Sequence, residues 1–143
     1  MKQVAEHGDY EIYQTSSLES DFYCIMGRYF ADKQIVKELE GPMFNDDSYV
    51  WLIAMLDNEI VGFSSCRFDD KGAHFGVTYI MPEHRRKGLY RALFMLKQQL
   101  CITRDAHTLY GLANPISKAL FDANEWIATR QAGKWTHYKK EVA

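Results

Sequence analysis

The stretch 79–96 (YIMPEHRRKGLYRALFML) constrains the chain most, because it joins the end of a strand, a basic turn with a glycine, and the start of a helix. The helix is predicted from an apolar stripe at helical spacing. The stripe consists of Leu89, Leu93, Leu96 and Leu100. Such turns direct free backbone N–H groups toward one point, and the helix N-terminus adds about half a positive charge there. The segment therefore predicts a phosphate or pyrophosphate site.

The residues of this turn leave two interpretations open. Arg85, Arg86 and Lys87 supply cations, and Gly88 lets a ligand approach the backbone without a Cβ in the way. The same residues would equally suit a solvated basic helix cap without a ligand. Two common phosphate loops are excluded, since the chain contains neither GxxxxGK[ST] nor GxGxxG after a strand.

The rest of the chain predicts a mixed α/β order of strand, two helices, hairpin, strand, helix, strand, helix and closing strands. A capping box at Ser16-Ser17-Leu18-Glu19 predicts the first helix, with Leu18 in its apolar stripe. Asn114-Pro115 predicts the last helix, with Ile116 on its apolar face. Strand–helix–strand at the centre implies a parallel crossover inside a mixed sheet. The predicted strands are 10–14, 50–56, 60–68, 73–80, 108–112, 126–130 and 135–139.

Charge and composition exclude several classes of function. The 143 residues carry a formal net charge of −2, which argues against a general polyanion binder. Cys24, Cys66 and Cys101 are widely spaced without a CxxC pair, which favours reduced thiols and predicts no metal site. The start lacks the apolar run of a signal peptide, and no stretch approaches the ~20 apolar residues of a membrane span. We therefore expect a single cytoplasmic domain over residues 1–143, away from membranes.

Over residues 50–126 the chain resembles the GNAT acetyltransferase superfamily. The family's turn, Arg/Gln-x-x-Gly-x-Gly/Ala after an apolar-x-x-Pro-Glu run, matches 80–90 (IMPEHRRKGLY), except that Tyr90 stands where the family has a small residue. Residues 57–63 (DNEIVGF) resemble the family's second hairpin. Asn114, Leu120 and Phe121 fall at the spacing of its Asn-x-x-Ala-x-x-Leu-Tyr segment. The resemblance implies a GNAT acyltransferase fold, a mixed and mostly antiparallel sheet with a central parallel, splayed strand pair and flanking helices.

The resemblance also implies acetyl-CoA as cofactor and assigns residues to it. The backbone from Thr78 to Ile80 would pair with the pantetheine arm, and the N–H groups from Arg85 to Arg91 would hold the pyrophosphate. Asn114 would contact the pantetheine from the other strand, although Asn before Pro also predicts a helix N-cap. The implied cofactor-binding set is Thr78, Tyr79, Ile80, Arg85, Arg86, Lys87, Gly88, Leu89, Tyr90, Arg91, Asn114 and Phe121.

The implied activity is direct transfer of the acetyl group to a primary amine in a ternary complex. An amine with a pKa of ~10.4 must lose a proton before it reacts at neutral pH. His74 is the predicted base, because strand parity places it on one side with Thr78 and Ile80. Phe121 stands where many relatives have a tyrosine that protonates the leaving thiolate. The proton donor is therefore sought among Tyr110, Tyr138 and water.

Two other functions remain open at this stage. Tyr90 and Phe121, which depart from the family pattern, would also suit a silent acyl-CoA-binding or regulatory module. The basic and aromatic end of the chain would suit an enzyme acting on a nucleic-acid-bound amine. The sequence leaves open the acceptor amine, the acyl length and the oligomeric state, a homodimer included.

Overall fold

The structure is a computed structural model that describes residues 1–142. Its strands are β1 (Lys2–His7), β2 (Tyr10–Thr15), β3 (Tyr49–Leu56), β4 (Glu59–Asp69), β5 (Gly72–Ile80), β6 (Thr108–Ala113), β7 (Ile127–Ala132) and β8 (Trp135–Glu141). Its α-helices are α1 (Phe22–Phe30), α2 (Lys33–Leu39), α3 (Leu89–Thr103) and α4 (Lys118–Ala123). A single 3₁₀ turn, Pro82–His84, lies between β5 and α3.

All eight strands form one sheet in the order β1-β2-β3-β4-β5-β6-β8-β7. Every neighbouring pair is antiparallel except β5 and β6, which are parallel. This parallel pair is registered only at Ala73 with Leu109 and at His74 with Tyr110, after which the strands diverge. The predicted mixed sheet with a central splayed pair is confirmed.

Helices cover both faces of the sheet. Phe22 and Met26 of α1 are fully buried in a cluster that includes Trp51 of β3. On the other face, Leu89 and Leu93 of α3 are buried beside Ile80 at the end of β5. The leucine stripe predicted from the sequence therefore holds the start of α3 against the strand from which it emerges, and fixes the turn between them.

One strand was missed, and two local predictions were wrong. Strand β1 was not predicted, since it is exposed along most of its length and has a weak apolar pattern. Ser16 begins a turn by accepting a hydrogen bond from the Leu18 N–H, and α1 begins only at Phe22, so Leu18 is 75% exposed. Ile116 precedes α4 and is 90% exposed, because the first residues after Asn114 form a turn rather than the helix.

The predicted parity of β5 was also wrong. Thr78 pairs with Ser64 and Phe75 pairs with Cys66, so Gly76 and Val77 together oppose one residue of β4. This β-bulge adds one residue to β5 and reverses the facing of the side chains on its two sides. His74 therefore faces away from Thr78 and Ile80.

Within residues 1–142, none of the helices combines the length and the apolar character that a membrane crossing requires.

Candidate active site

A cavity of about 690 Å³ opens where β5 and β6 diverge. Lys87 and Phe121 are absent from its walls, while Leu39 and Ser117 line it without having been predicted. Nothing in the local sequence pattern of these two residues pointed to the site. The predicted cofactor residues that line the cavity are Thr78, Tyr79, Ile80, Arg85, Arg86, Gly88, Leu89, Tyr90, Arg91 and Asn114.

The turn between β5 and α3 presents six consecutive free donors. Arg86 and Gly88 have positive φ angles of 64° and 77°, which bend the chain sharply before the helix. The first helical hydrogen bond runs from the Ala92 N–H to the Gly88 carbonyl. The N–H groups from Arg86 to Arg91 have no acceptor among residues 1–142. This concentration of donors at a helix N-terminus suits the binding of an anion.

The cations of the turn have different surroundings. The side chains of Arg86, Lys87 and Arg91 form no ion pair with any residue in the range 1–142, and Arg86 and Arg91 line the cavity. Arg85 is engaged differently. Its Nε donates to the Ile80 carbonyl at 2.8 Å, and its Nη2 donates to the Glu38 carboxylate at 2.8 Å. Arg85 therefore joins α2 to the end of β5, and little of its charge remains for a ligand.

Glu38 and Tyr79 form the cavity wall beside Arg85. Hydrogen bonds from the Tyr79 hydroxyl and then from Arg85 lower the pKa of Glu38 to about 2. Burial, and then the bond to Glu38, raise the pKa of Tyr79 to about 12. At neutral pH Glu38 is therefore an anion and Tyr79 a neutral phenol. Glu38 is the one carboxylate among the residues that line the cavity.

The first hairpin supports the turn from outside the cavity. The ring Nε2 of His7 lies 2.8 Å from the Lys87 carbonyl, and the Tyr10 hydroxyl lies 2.9 Å from Nδ1 of His84. A Cβ at Gly88 would come within 3.2 Å of the His7 ring. Strand β1, which the sequence did not predict, is thus in direct contact with the anion-binding turn.

Tyr90, the residue that departs from the family pattern, is 39% exposed and lines the cavity. Burial raises its pKa, while the hydroxyl groups of Ser117 and Thr78 lower it by less. The phenol therefore lies near β5 and the start of α4.

Asn114 caps a turn and also lines the cavity, the two positions that its predicted roles require. Its Oδ1 accepts hydrogen bonds from the N–H groups of Ile116 at 3.0 Å and Ser117 at 2.8 Å, so it caps the turn that leads into α4. It also lines the cavity, as Thr78 does.

The three predicted catalytic side chains lie outside the cavity. Nε2 of His74 is 2.9 Å from the Asp69 carboxylate, close enough for an ion pair but not aligned for a hydrogen bond. The His74 ring stacks on Tyr110 at 4.8 Å, on the face opposite α3. Four residues of strand, roughly 13 Å, separate His74 from Thr78. The catalytic assignments of His74 and Tyr110 stay predictions, and this geometry does not support them.

Tyr138 and Phe121 belong to the packing of α4 against the sheet. The Tyr138 hydroxyl donates to Asp122 at 2.6 Å and accepts from Lys118 at 3.0 Å, while its ring stacks on Phe121 at 5.0 Å. Phe121 is 4% exposed, and its ring approaches Gly111 so closely that a Cβ there would clash. Neither residue lines the cavity, so a proton donor has to be sought elsewhere.

Strand β5 has an unpaired edge along the cavity. Its β6 side is bonded only as far as His74, and Thr78, Tyr79 and Ile80 then face the open space. Unpaired N–H and C=O groups on a strand edge can hydrogen-bond an extended ligand. The site therefore combines an anion-binding turn with an edge that suits an extended, amide-containing chain.

Comparison with known proteins gives the same family from sequence and the same fold from structure. The sequence model of the Acetyltransferase (GNAT) family matches residues 10–124. No protein of curated function matches the chain. Escherichia coli ElaA superposes with a TM-score of 0.71 at 14% identity, covering 92% of this chain and 99% of that chain.

Two similar structures contain the cofactor. The PaiA N-acetyltransferase from Thermoplasma acidophilum in complex with coenzyme A has a TM-score of 0.64 at 12% identity, covering 93% of this chain and 99% of that one. A GNAT family acetyltransferase from Elizabethkingia anophelis with acetyl-CoA bound has a TM-score of 0.63 at 11% identity, covering 94% and 99%.

Proposed function

The chain belongs to the acetyltransferase (GNAT) family, which uses acetyl-CoA, and on that premise we propose that it acetylates a primary amine by direct transfer in a ternary complex. The observation that carries the proposal is the row of free N–H groups from Arg86 to Arg91, beside a cavity that follows the open edge of β5. Coenzyme A has two corresponding parts, an anionic diphosphate and an extended arm with amide groups. The cofactor supplies the activated acetyl group.

The residues present fit this cofactor. The N–H groups of the turn, with the Arg86 and Arg91 side chains, would hold the diphosphate by charge-assisted hydrogen bonds. The free edge from Thr78 to Ile80 would pair with the amides of the arm. A strand N–H at this edge would polarise the reacting carbonyl as a one-donor oxyanion site.

The charge of the cavity suggests how an amine would enter. The Glu38 carboxylate, which is paired with Arg85 at 2.8 Å, and the Tyr79 hydroxyl form the wall nearest α2. These oxygens would accept hydrogen bonds from an amine, and a protonated amine must lose a proton to react. Since His74 lies outside the cavity, water within it is the proposed carrier of that proton. The structure leaves the identity of the amine open.

We do not propose a nucleic-acid-bound amine as the acceptor. That alternative was motivated by the basic end of the chain, whose side chains have partners within the protein. His137 bonds to Arg130 at 2.9 Å, Lys139 pairs with Glu141 at 2.9 Å, and Lys140 donates to the Asn124 carbonyl at 2.5 Å.

Calorimetry with acetyl-CoA and a thiol-release assay against a panel of primary amines test the proposal. The double variant Arg86→Ala/Arg91→Ala should lose about 10- to 100-fold in cofactor affinity, because two charge-assisted contacts disappear. The matched control is Lys33→Ala/Lys71→Ala, which removes the same charge from exposed positions outside the cavity and should bind as the wild type does.

Equal affinity in the two double variants would contradict the diphosphate assignment. Tight binding with no thiol release from any amine would contradict the transfer reaction, and would favour a silent acyl-CoA-binding module instead.

A further inference from the structure

Lys97, in the middle of α3, is a buried cation without a counter-ion. The residue is 2% exposed, and no carboxylate within residues 1–142 lies within ion-pair distance of its ammonium group. Its Nζ donates to the Ser65 carbonyl at 3.0 Å and to the Thr78 hydroxyl at 3.3 Å, and it lies 4.4 Å from the centre of the Phe75 ring. Burying an unpaired charge destabilises a fold, so such a group is a candidate for function.

The β-bulge explains why Lys97 reaches this position. Gly76 and Val77 both oppose Ser65, so the regular pairing of β4 with β5 is interrupted there. The Ser65 carbonyl accepts from Lys97 at that interruption. The bulge also turns Thr78 toward α3, because it reverses the facing of β5. A regular strand would have put the Thr78 side chain on the other face.

Thr78 connects Lys97 to the cavity. Its hydroxyl accepts a hydrogen bond from Lys97 at 3.3 Å and lies 2.7 Å from the Ser64 hydroxyl. Thr78 also lines the cavity and belongs to the open edge of β5. One hydroxyl therefore separates a buried ammonium group from the space proposed for the reacting end of the cofactor.

The titratable groups around Lys97 are few. Strand β4 presents the Cys66 thiol, α3 presents Cys101, and β5 presents only the Thr78 hydroxyl and the Phe75 ring. A hydrogen bond with Cys66, and then burial, raise the pKa of Cys101, while the same bond lowers the pKa of Cys66. Burial lowers the pKa of Lys97 to about 8, near the value of ~8.5 for a free thiol.

We propose that Lys97, acting through the Thr78 hydroxyl, is the positioning residue that stabilises and protonates the sulfur released in acetyl transfer. The inference rests on the proposed function. It supplies a proton donor for the reaction. Phe121 is buried and has no acidic proton, and Tyr110 and Tyr138 lie outside the cavity.

The step balances in atoms and charge. The amine nitrogen forms a bond to the carbonyl carbon, and the carbon–sulfur bond breaks with its electron pair going to sulfur. Thr78 gives its hydroxyl proton to the sulfur and takes one from the Lys97 ammonium group. Lys97 recovers a proton through Thr78 from water in the cavity, and the proton lost by the amine goes to solvent.

The test measures the pKa of the coenzyme A thiol in its binary complex, which requires no acceptor. The absorbance of the thiolate is followed from pH 6 to 10, with the desulfo-coenzyme A complex as the blank. In the wild type the bound thiol should titrate about one pH unit below the free thiol, because a nearby cation favours the thiolate. In Lys97→Met this difference should disappear.

Two variants of Thr78 distinguish an effect that requires its hydroxyl from a direct effect of the Lys97 charge on the pKa of the thiol. Thr78→Val keeps the shape but removes the hydroxyl and should titrate like Lys97→Met, whereas Thr78→Ser should titrate like the wild type. A surface control, Lys71→Met, should also match the wild type. These variants carry the test even if Lys97→Met fails to fold.

The possible outcomes distinguish a failure of the role proposed for Lys97 from a failure of the proposed function. If coenzyme A binds and the thiol pKa is the same in the wild type and Lys97→Met, the role of Lys97 is wrong while the proposed function stands. If Thr78→Val keeps the lowered thiol pKa, the relay through Thr78 is wrong. If no variant and no wild-type protein binds coenzyme A in calorimetry, the proposed function fails, and the inference fails with it.

Discussion

Two residues of the turn between β5 and α3, Arg86 and Gly88, adopt left-handed backbone conformations. This conformation costs a residue with a Cβ about 1–2 kcal/mol, and glycine almost nothing. Arg86 carries that cost at a position where its N–H and its side chain both serve the anion-binding turn. Local strain of this kind is typical of ligand-binding sites.

Gly88→Ala should weaken coenzyme A binding by about tenfold and lower the free energy of unfolding by roughly 1–2 kcal/mol. The new methyl group meets both an unfavourable φ of 77° and the His7 ring at 3.2 Å, so the turn must shift. Gly133→Ala is the matched control, since Gly133 has a φ of 60° but nothing within 4 Å of its Cβ position. It should lose similar stability and keep full affinity in calorimetry; a loss of affinity in both variants, or in neither, contradicts the prediction.

The partners of Arg85 could not be predicted from the fact that it is an arginine in a basic turn. In the sequence it is one of three adjacent cations, and all three were expected to serve the phosphate. In the structure Glu38, 47 residues away, neutralises Arg85, and the Ile80 carbonyl accepts from it. No pattern local to the turn could distinguish Arg85 from Arg86, because the difference depends on where α2 packs.

The hairpin of β1 and β2 contacts the turn between β5 and α3, although none of its residues lines the cavity. The hairpin brings His7 to the Lys87 carbonyl and Tyr10 to His84, one contact on each side of the turn. The turn has few other contacts, since its own N–H groups are unpaired among residues 1–142. The hairpin therefore acts as a support that preorganises the donors for a ligand.

His7→Ala should weaken coenzyme A binding by about three- to tenfold, since one hydrogen bond of about 1 kcal/mol no longer holds the turn. Gln3→Ala is the control on the same strand, because Gln3 is exposed and its side chain bonds only to Glu6. The Kd values of both variants can be compared by calorimetry. Equal Kd values for the two would show that β1 does not contribute to the site.

The β-bulge in β5 cannot be recognised from the alternation of apolar and polar residues along the strand. An alternating pattern predicts one face for His74, Thr78 and Ile80, and a single extra residue reverses it. The only local sign is Gly76, since glycine inside a strand often marks a bulge or a close approach. Here a Cβ at Gly76 would lie 2.3 Å from the Ser65 hydroxyl oxygen, so the glycine is required by the neighbouring strand.

For the whole molecule, the buried Lys97 links folding stability to pH. Burial lowers its pKa from 10.5 to about 8. Between these two values the unfolded chain binds a proton that the folded chain does not, so this group makes the free energy of unfolding rise with pH. Below pH 8 both states are protonated, and the burial of the charge costs a constant amount, about 3 kcal/mol.

Lys97→Met should therefore be more stable than the wild type at pH 7, by up to about 3 kcal/mol, and the two should converge as the pH rises from 8 to 10.5. Urea denaturation of both proteins across this range measures the difference. Surface groups titrate alike in the two proteins, so they do not affect the difference between their free energies of unfolding. A constant difference across the range would contradict the linkage.

Much of the fold and part of the site followed from the sequence. The leucine stripe of α3 and the hairpin turn at Asp57 and Asn58 depend on local chemistry, namely helical spacing and residues that tolerate positive φ. The turn with free N–H groups was predictable for the same reason, since its glycine and the helix start lie within a few residues of each other. Family resemblance added the cofactor, which the family match confirms, and a role for the open edge of β5 that stays a prediction.

Only the tertiary structure decided which side chains meet around the cavity. The pairing of Arg85 with Glu38, the support from His7, the facing of His74 and the burial of Lys97 each join segments far apart in the chain. These contacts depend on register and on packing between elements, which residue type and spacing do not specify. The sequence by itself determined the local backbone of the turn between β5 and α3, and packing determined which polar groups line the cavity beside it.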